Sequence, residues 1–242
     1  MLTNLCDARS MADIAVTSGR VRARADMTDR IKQVARRHLA VDGPDLSLRA
    51  VARDLGVVSS AVYRYFASRD VLLTALIIDG YSSLGEAAEL AEATVARRDT
   101  AGRWLALGRS IRAWARAHPY EYALLYGSPV PGYAAPQDTI GPASRTVLVL
   151  LAILRDAAGR GTVVTGRGPR LPPSIRAELD QLRTHPGFGG VPVTVLARGM
   201  TAWAQLFGTL SFELFGRLTN AVEDYDEYFD YQLRAMSAYM GL

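Results

Sequence analysis

The chain has 242 residues, 49% of them apolar and 21% charged, enough to bury a sizeable core in one or two domains. No run of 18 or more apolar residues occurs, so no membrane span is expected. The opening MLTNLCDARSMADIAVTSGR lacks a basic segment leading into an apolar one, which predicts no secretory signal. The single cysteine, Cys6, excludes an internal disulfide and suits a cytoplasmic setting. The net charge of +4 is uneven: residues 1–70 carry 12 basic and 8 acidic side chains, and residues 71–242 carry 16 of each. A basic module ahead of a neutral body suits a protein that meets phosphate with one part of itself. Lys32 is the only lysine against 27 arginines, a mark of genome base composition rather than of chemistry.

Residues 1–26 read as a flexible tail bearing Arg20, Arg22 and Arg24. It is a disordered extension, or the product of an upstream start codon, or a basic arm that reaches the DNA backbone or minor groove. A first helix is predicted from about Thr28 to Val41, with Thr28 as cap and Ile31, Val34, Ala35, His38 and Leu39 on its core face. His38 reads as a packed histidine, not a ligand. Asp42, Gly43 and Pro44 end the helix. Ser47 opens a second helix with Leu48, Val51, Ala52 and Leu55 inward, and Gly56 breaks it. Ser59 opens a third helix with Val58, Ala61, Val62, Tyr65 and Phe66 as its apolar stripe. Ser68 opens a long fourth helix to about Ala93. Two short helices joined at a glycine turn form a helix-turn-helix, whose second helix can lie in a DNA major groove.

Further on, Trp104, Leu107, Ile111, Trp114 and His118 recur at helical spacing up to Pro119, and a short helix follows from Tyr120 to Tyr126. Residues 127–143 hold four prolines and three glycines and predict a loop, with helix resuming over Ser144–Ala158. Residues 159–173 form a second long loop, in which Val163–Thr165 is the only strand-like fragment. A short helix over Ile175–Arg183 precedes two closing helices, Pro192–Leu218 and Asp226–Met240. The fold class is all-α.

The stretch SLRAVARDLGVVSSAVYRYFASRD, residues 47–70, resembles the TetR/AcrR family of bacterial transcriptional regulators. That resemblance implies a three-helix DNA-binding domain over residues 27–73 and a helical effector-binding and dimerisation domain over residues 74–242. It implies that Val58, Ser59, Ser60, Ala61, Tyr63 and Arg64 are recognition positions, with Tyr63 on phosphate. Tyr65 stands where the family commonly has histidine. Arg69, where lysine is usual, is expected on phosphate, and Ser47 and Arg49 on backbone and base respectively. Ser59, Ser60 and Ala61 are small, so Arg49 and Arg64 are the long donors placed for guanine. For Tyr63 and Tyr65 the alternative is packing within the small domain.

TAWAQLFGTLSFELF, residues 201–215, is similar to the Trp-His-Gly type of TetR C-terminal domain. Trp203 and Gly208 match, and Phe207 replaces the histidine. The resemblance implies a homodimer in which Gly199, Gly208, Phe212, Phe215 and Leu218 face the partner; the alternative is a monomer core. Trp104, Trp114, His118, Tyr122, Tyr126 and Trp203 are candidates for a chamber holding a small apolar effector, or else plain core. The function implied is a ligand-responsive repressor that leaves operator DNA when the effector binds. The alternatives are an all-α ligand-binding or catalytic domain with a structural helix-turn-helix, and a DNA-binding dimer without effector.

No enzymatic signature is present: no HExxH, CxxC, phosphate loop or nucleophile elbow. His38, His118 and His185 are too scattered for a metal site, and no cofactor, catalytic residue, metal or membrane partner is expected. The acidic run Glu223, Asp224, Asp226, Glu227 and Asp230 reads as a solvated helix start whose charges favour the helix dipole.

Overall fold

The computed structural model describes residues 4–43, 46–161 and 170–242, with side chains from Gly19 onward except that of Asp42. Pro44 and the Val163–Thr165 fragment lie outside these residues. Among them the chain forms ten α-helices, one short 3-10 turn and no strand. It divides into two compact units, residues 1–76 and 77–242.

In the first unit, α1 (Asn4–Asp42) begins well before the predicted start at Thr28. The added residues contain no proline and are rich in Ala and Arg, which are good helix formers. Gly43, at φ +60°, follows the helix. Next come α2 (Leu48–Asp54) and α3 (Ser59–Tyr63). Ser47 caps α2 by accepting the Ala50 N–H at 3.4 Å. Gly56, at φ +70°, turns the chain between α2 and α3, where a β-carbon is strained. Ser68 accepts the Val71 N–H at 3.2 Å and so starts α4 (Arg69–Ala93). Ile31, Val34, Ala35, Leu39, Leu48, Val51, Ala52, Val62, Phe66, Leu72 and Leu73 are buried, so all four helices supply this unit's core. By length and composition α4 could cross a bilayer. However, Leu72, Leu73, Leu76, Ile77, Leu84 and Ala88 along it are buried in protein.

The second unit takes the remainder of α4, then α5 (Thr100–Ala117), α6 (Pro119–Tyr126), α7 (Ile140–Gly159), α8 (Pro173–Leu182), α9 (Val193–Leu214) and α10 (Tyr225–Met240). Its core joins Trp104, Leu107 and Ile111 of α5 to Ile153 and Leu154 of α7, Leu196 and Leu210 of α9, and Phe229 and Leu233 of α10. Two buried arginines of α5 lock this packing. Arg103 binds Glu92 of α4 and donates to Asp156 of α7 at 2.8 Å. Arg112 donates to Glu213 of α9 and lies 2.7 Å from Asp226 of α10.

Two helix ends differ from expectation. α7 starts at Ile140, inside the predicted loop. Pro142 falls in its first turn, where the missing N–H has no helical partner to lose. α9 ends at Leu214 rather than Leu218. Gly216 adopts φ +68°, and the Arg217 N–H reaches back to the Phe212 carbonyl at 2.8 Å, the glycine stop of a helix C-terminus.

Candidate nucleic-acid interface and ligand cavity

α3 has a clear inner and outer side. Val62, and Phe66 just beyond the helix, are buried. Val58 at 72% exposure, Ser60, Tyr63 and Arg64 are exposed, and Ser59, Ala61 and Tyr65 are half-buried. Of the recognition positions in the sequence reading, Val58, Ser60, Tyr63 and Arg64 thus face outward, and Ser59, Ala61 and Tyr65 are partly turned in. Arg49 on α2 is exposed, and so is Ser47, whose hydroxyl is engaged in capping. Arg69 is half-buried and lies 3.5 Å from Asp70 at the start of α4. The exposed side of α3 is rich in small residues and ends at Arg64, with Arg49 and Arg69 on the helices before and after it. It suits a groove edged by phosphates.

Two contacts here were not read from the sequence. His38 Nε2 lies 2.8 Å from Asp54 Oδ2, tying α1 to the end of α2. The Arg24 guanidinium lies over the Tyr65 ring, 5.6 Å from its centre. Both join residues far apart in the chain, and no periodicity reports such pairs.

The aromatic set in the second unit departs from the expected chamber. Trp104 is fully buried, and its Nε1 donates to the Leu233 carbonyl at 2.8 Å. Trp114 donates to Ser83 at 3.0 Å and stacks on His118, with ring centres 4.9 Å apart. Tyr122 is fully buried and donates to the Phe207 carbonyl at 3.2 Å. Tyr126 packs on Phe207 at 4.2 Å, and Phe207 on Trp203 at 4.8 Å. Phe207, the residue in the histidine's place, is thus the centre of the cluster.

A cavity of about 540 Å³ lies elsewhere, among α4, α6, α7 and the segment 127–139, and none of the six expected residues lines it. Its walls are mainly Ile77, Tyr81, Leu125, Val130, Tyr133 and Val147. Of those six, Trp104, Trp114 and Tyr122 are buried in the core, Tyr126 and Trp203 pack against it, and His118 is half-buried. The open space lies instead against Leu124 and Leu125, where the proline-rich segment does not pack as helix. The available signal was the apolar Val130, Tyr133 and Ile140 within that segment. Burial, reinforced by Tyr133, raises the Tyr81 hydroxyl's pKa above its ordinary value. Burial likewise raises Tyr126 and Tyr122, against opposing hydrogen bonds with Thr146 and Ser211 respectively. These hydroxyls stay neutral, so they offer hydrogen bonds without charge.

A second cavity, of about 750 Å³, lies between α5 and α10 and is lined by Arg109, Arg112, Arg116 and Arg234 against Asp226 and Asp230. Its charges are already matched: Arg109 with Asp230, and Arg116 with Asp226 at 3.1 Å. The acidic run is thus more than a solvated helix start. Asp224 caps α10 by accepting the Glu227 N–H at 2.8 Å, and Asp226 and Asp230 pin α10 to α5. Among the described residues no acidic, histidine and cysteine cluster fit for a metal occurs.

The expected interface positions separate into two groups. Gly199 is buried, and a β-carbon there would collide with Leu154. It is an internal packing residue, which corrects its assignment to a partner face. Leu218 is half-buried and lies beyond the end of α9. Gly208 faces open space, and Phe212 and Phe215 are 54% and 46% exposed. With Met200 and Ala204 they form an exposed stripe at helical spacing along α9.

A tight two-helix turn whose outer side is polar and basic, followed in the chain by an all-helical unit, defines a helix-turn-helix DNA-binding protein. Comparison with known proteins agrees. The family description "Bacterial regulatory proteins, tetR family" matches residues 31–76, and "Tetracyclin repressor-like, C-terminal domain" matches residues 104–236. The chain is 37% identical over 222 residues to the HTH-type transcriptional regulator Rv1816 of Mycobacterium tuberculosis and equally to Mb1846 of Mycobacterium bovis. Each alignment covers 90% of this chain and 94% of the relative. The solved structure of regulatory protein SCO4313 is 34% identical, covers 90% of this chain and 98% of its own, and gives a TM-score of 0.71. PfmR, a TetR family transcriptional regulator from Thermus thermophilus, shares the fold at 17% identity, with a TM-score of 0.57 and coverage of 86% and 96%.

The chain belongs to the TetR family of bacterial transcriptional regulators. Members of the family bind operator DNA and act as dimers, and the homologues are regulators, not enzymes.

Proposed function

We propose that the protein is a cytoplasmic homodimeric repressor, released from its operator when a small apolar molecule fills the 540 Å³ cavity. The cavity carries this reading. Its volume is in the range of small-molecule sites, its walls are apolar, and its few polar groups are neutral hydroxyls. Ile77 and Tyr81 place α4 in its wall, and α4 begins at Arg69 directly after the helix-turn-helix. An effector that prefers the α4 position of the non-binding state shifts the equilibrium away from DNA, whereas equal affinity for both states shifts nothing.

The partner subunit is assigned to the exposed Met200–Phe215 stripe of α9, because a row of large apolar side chains facing water marks an interaction site. Tyr63 of α3 and Arg69 at the start of α4 are assigned to phosphate, and Arg49 of α2 and Arg64 at the end of α3 to bases.

A screen of aromatic and acyl-chain compounds tests the effector. A binder raises the Tm and frees operator DNA in a fluorescence-anisotropy assay. Val147→Trp, which fills the cavity, abolishes both responses and keeps DNA affinity. Should no compound stabilise the native protein, the dimer is a regulator without effector.

A further inference from the structure

We infer that α1 extends the DNA interface, with Arg20 and Arg24 forming a second phosphate-binding strip beside the end of the recognition helix. The inference rests on α3 being the helix that meets DNA.

The core-facing stripe of α1 runs through Ile31, Ala35 and Leu39, all buried. Followed toward the N-terminus at steps of three and four, it continues through Met27 and Thr28 to Arg24 and Arg20. Along one helix face the side chains change from core-forming to cationic. Arg24 shows where this face leads. Its guanidinium lies 5.6 Å above the ring of Tyr65, the second residue after Tyr63 and next to Arg64. A cation is thus held just past the end of α3, over the ring of the residue that follows the exposed Arg64. The Thr28 hydroxyl donates to the Arg24 carbonyl at 2.9 Å within this turn. Arg20 sits one turn on, about 6 Å along the axis, and is exposed. Arg22 is exposed as well but points to the opposite side of the helix.

Two guanidiniums on one face, the nearer placed by an aromatic ring of the DNA-reading unit, match a line of phosphates. Such contacts raise affinity for every sequence alike and report in the salt dependence of binding. The half-buried position of Tyr65 then has a purpose: its ring is the seat of Arg24, and it serves DNA through that arginine.

The test compares salt titrations of the native chain, Arg20→Ala/Arg24→Ala and Arg22→Ala on a duplex carrying the inverted repeat selected from random DNA, with about ten extra base pairs on each side. The double variant is expected to lower the slope of log K against log salt by about two units per protomer, near 0.9 for each phosphate no longer neutralised. The selected sequence stays the same. Arg22→Ala leaves the slope unchanged, and Arg20→Lys/Arg24→Lys restores it. An unchanged slope in the double variant overturns the strip, and so does an equal fall in Arg22→Ala, which would mark a mere effect of net charge. Failure of the native chain to bind any selected duplex would instead overturn the DNA-binding role of α3 itself.

Discussion

Arg49 and Arg64 are proposed to carry the direct reading of sequence, because Ser59, Ser60 and Ala61 offer little reach. Arg49→Ala is expected to cost about 1–3 kcal/mol on the selected operator and relax preference at one base pair, measured by anisotropy on point-substituted duplexes. An equal loss on scrambled DNA would make Arg49 a phosphate contact. In the second unit, the hydrogen bond from Arg97 holds the Asp156 carboxyl below the ordinary carboxylate range against the effect of burial, with Arg103 assisting. A carboxylate with a lowered folded pKa stabilises fully above the unfolded value and loses that effect as pH falls through the folded one. Asp156→Asn should therefore lower the Tm by several degrees at pH 7. The gap to the native protein should close as pH falls below about 4, as read by calorimetry across pH. The caps at Ser47 and Ser68 were legible from local pattern, whereas the Arg103 and Arg112 clamps join separate helices and were not.

At the scale of elements, α9 carries two glycines with opposite roles. Gly199→Ala drives a methyl into Leu154 and should destabilise by about 1–3 kcal/mol. Gly208→Ala meets open space within the chain and should leave the fold intact or raise its helix stability by up to about 1 kcal/mol. Denaturant melts of the two variants check this contrast. Phe212→Arg should fold normally, since the side chain is more than half exposed, and yet dissociate the dimer, because a charge buried without partner costs several kcal/mol. Sedimentation at micromolar concentration decides it: a dimer that persists removes Phe212 from the interface. Sequence pattern located every helix after α1 to within a few residues, because caps, glycine stops and periodicity are local signals. It misplaced the start of α7, since a proline run reads as loop whether or not its last proline begins a helix. It missed the cavity, because empty space is set by what segment 127–139 leaves unfilled.

For the whole molecule, two-fold pairing turns one recognition helix into two. The native protein should sediment at about twice 26.3 kDa. It should select from random DNA a near-palindrome whose half-sites are about 34–36 Å apart, or somewhat more. No enriched inverted repeat at low salt would count against the arrangement. The all-helical class was legible from helical periodicity along the whole chain, and the regulator family from the resemblance carried by residues 47–70. The candidate cavity was not legible, because none of the aromatic residues that drew attention lines it.

That displacement has an optical consequence. All three tryptophans, Trp104, Trp114 and Trp203, stand off the cavity wall, whereas Tyr81 and Tyr133 form part of it. Tyr81 meets Tyr126 edge-on at 6.0 Å, Tyr126 packs on Phe207, and Phe207 on Trp203. If the proposed site is used, tyrosine absorbance should register occupancy at once, while indole emission should change only when α4, α6 or α9 shifts. In a stopped-flow experiment the two colours separate binding from rearrangement, and a compound that perturbs tyrosine alone is an occupant that does not induce.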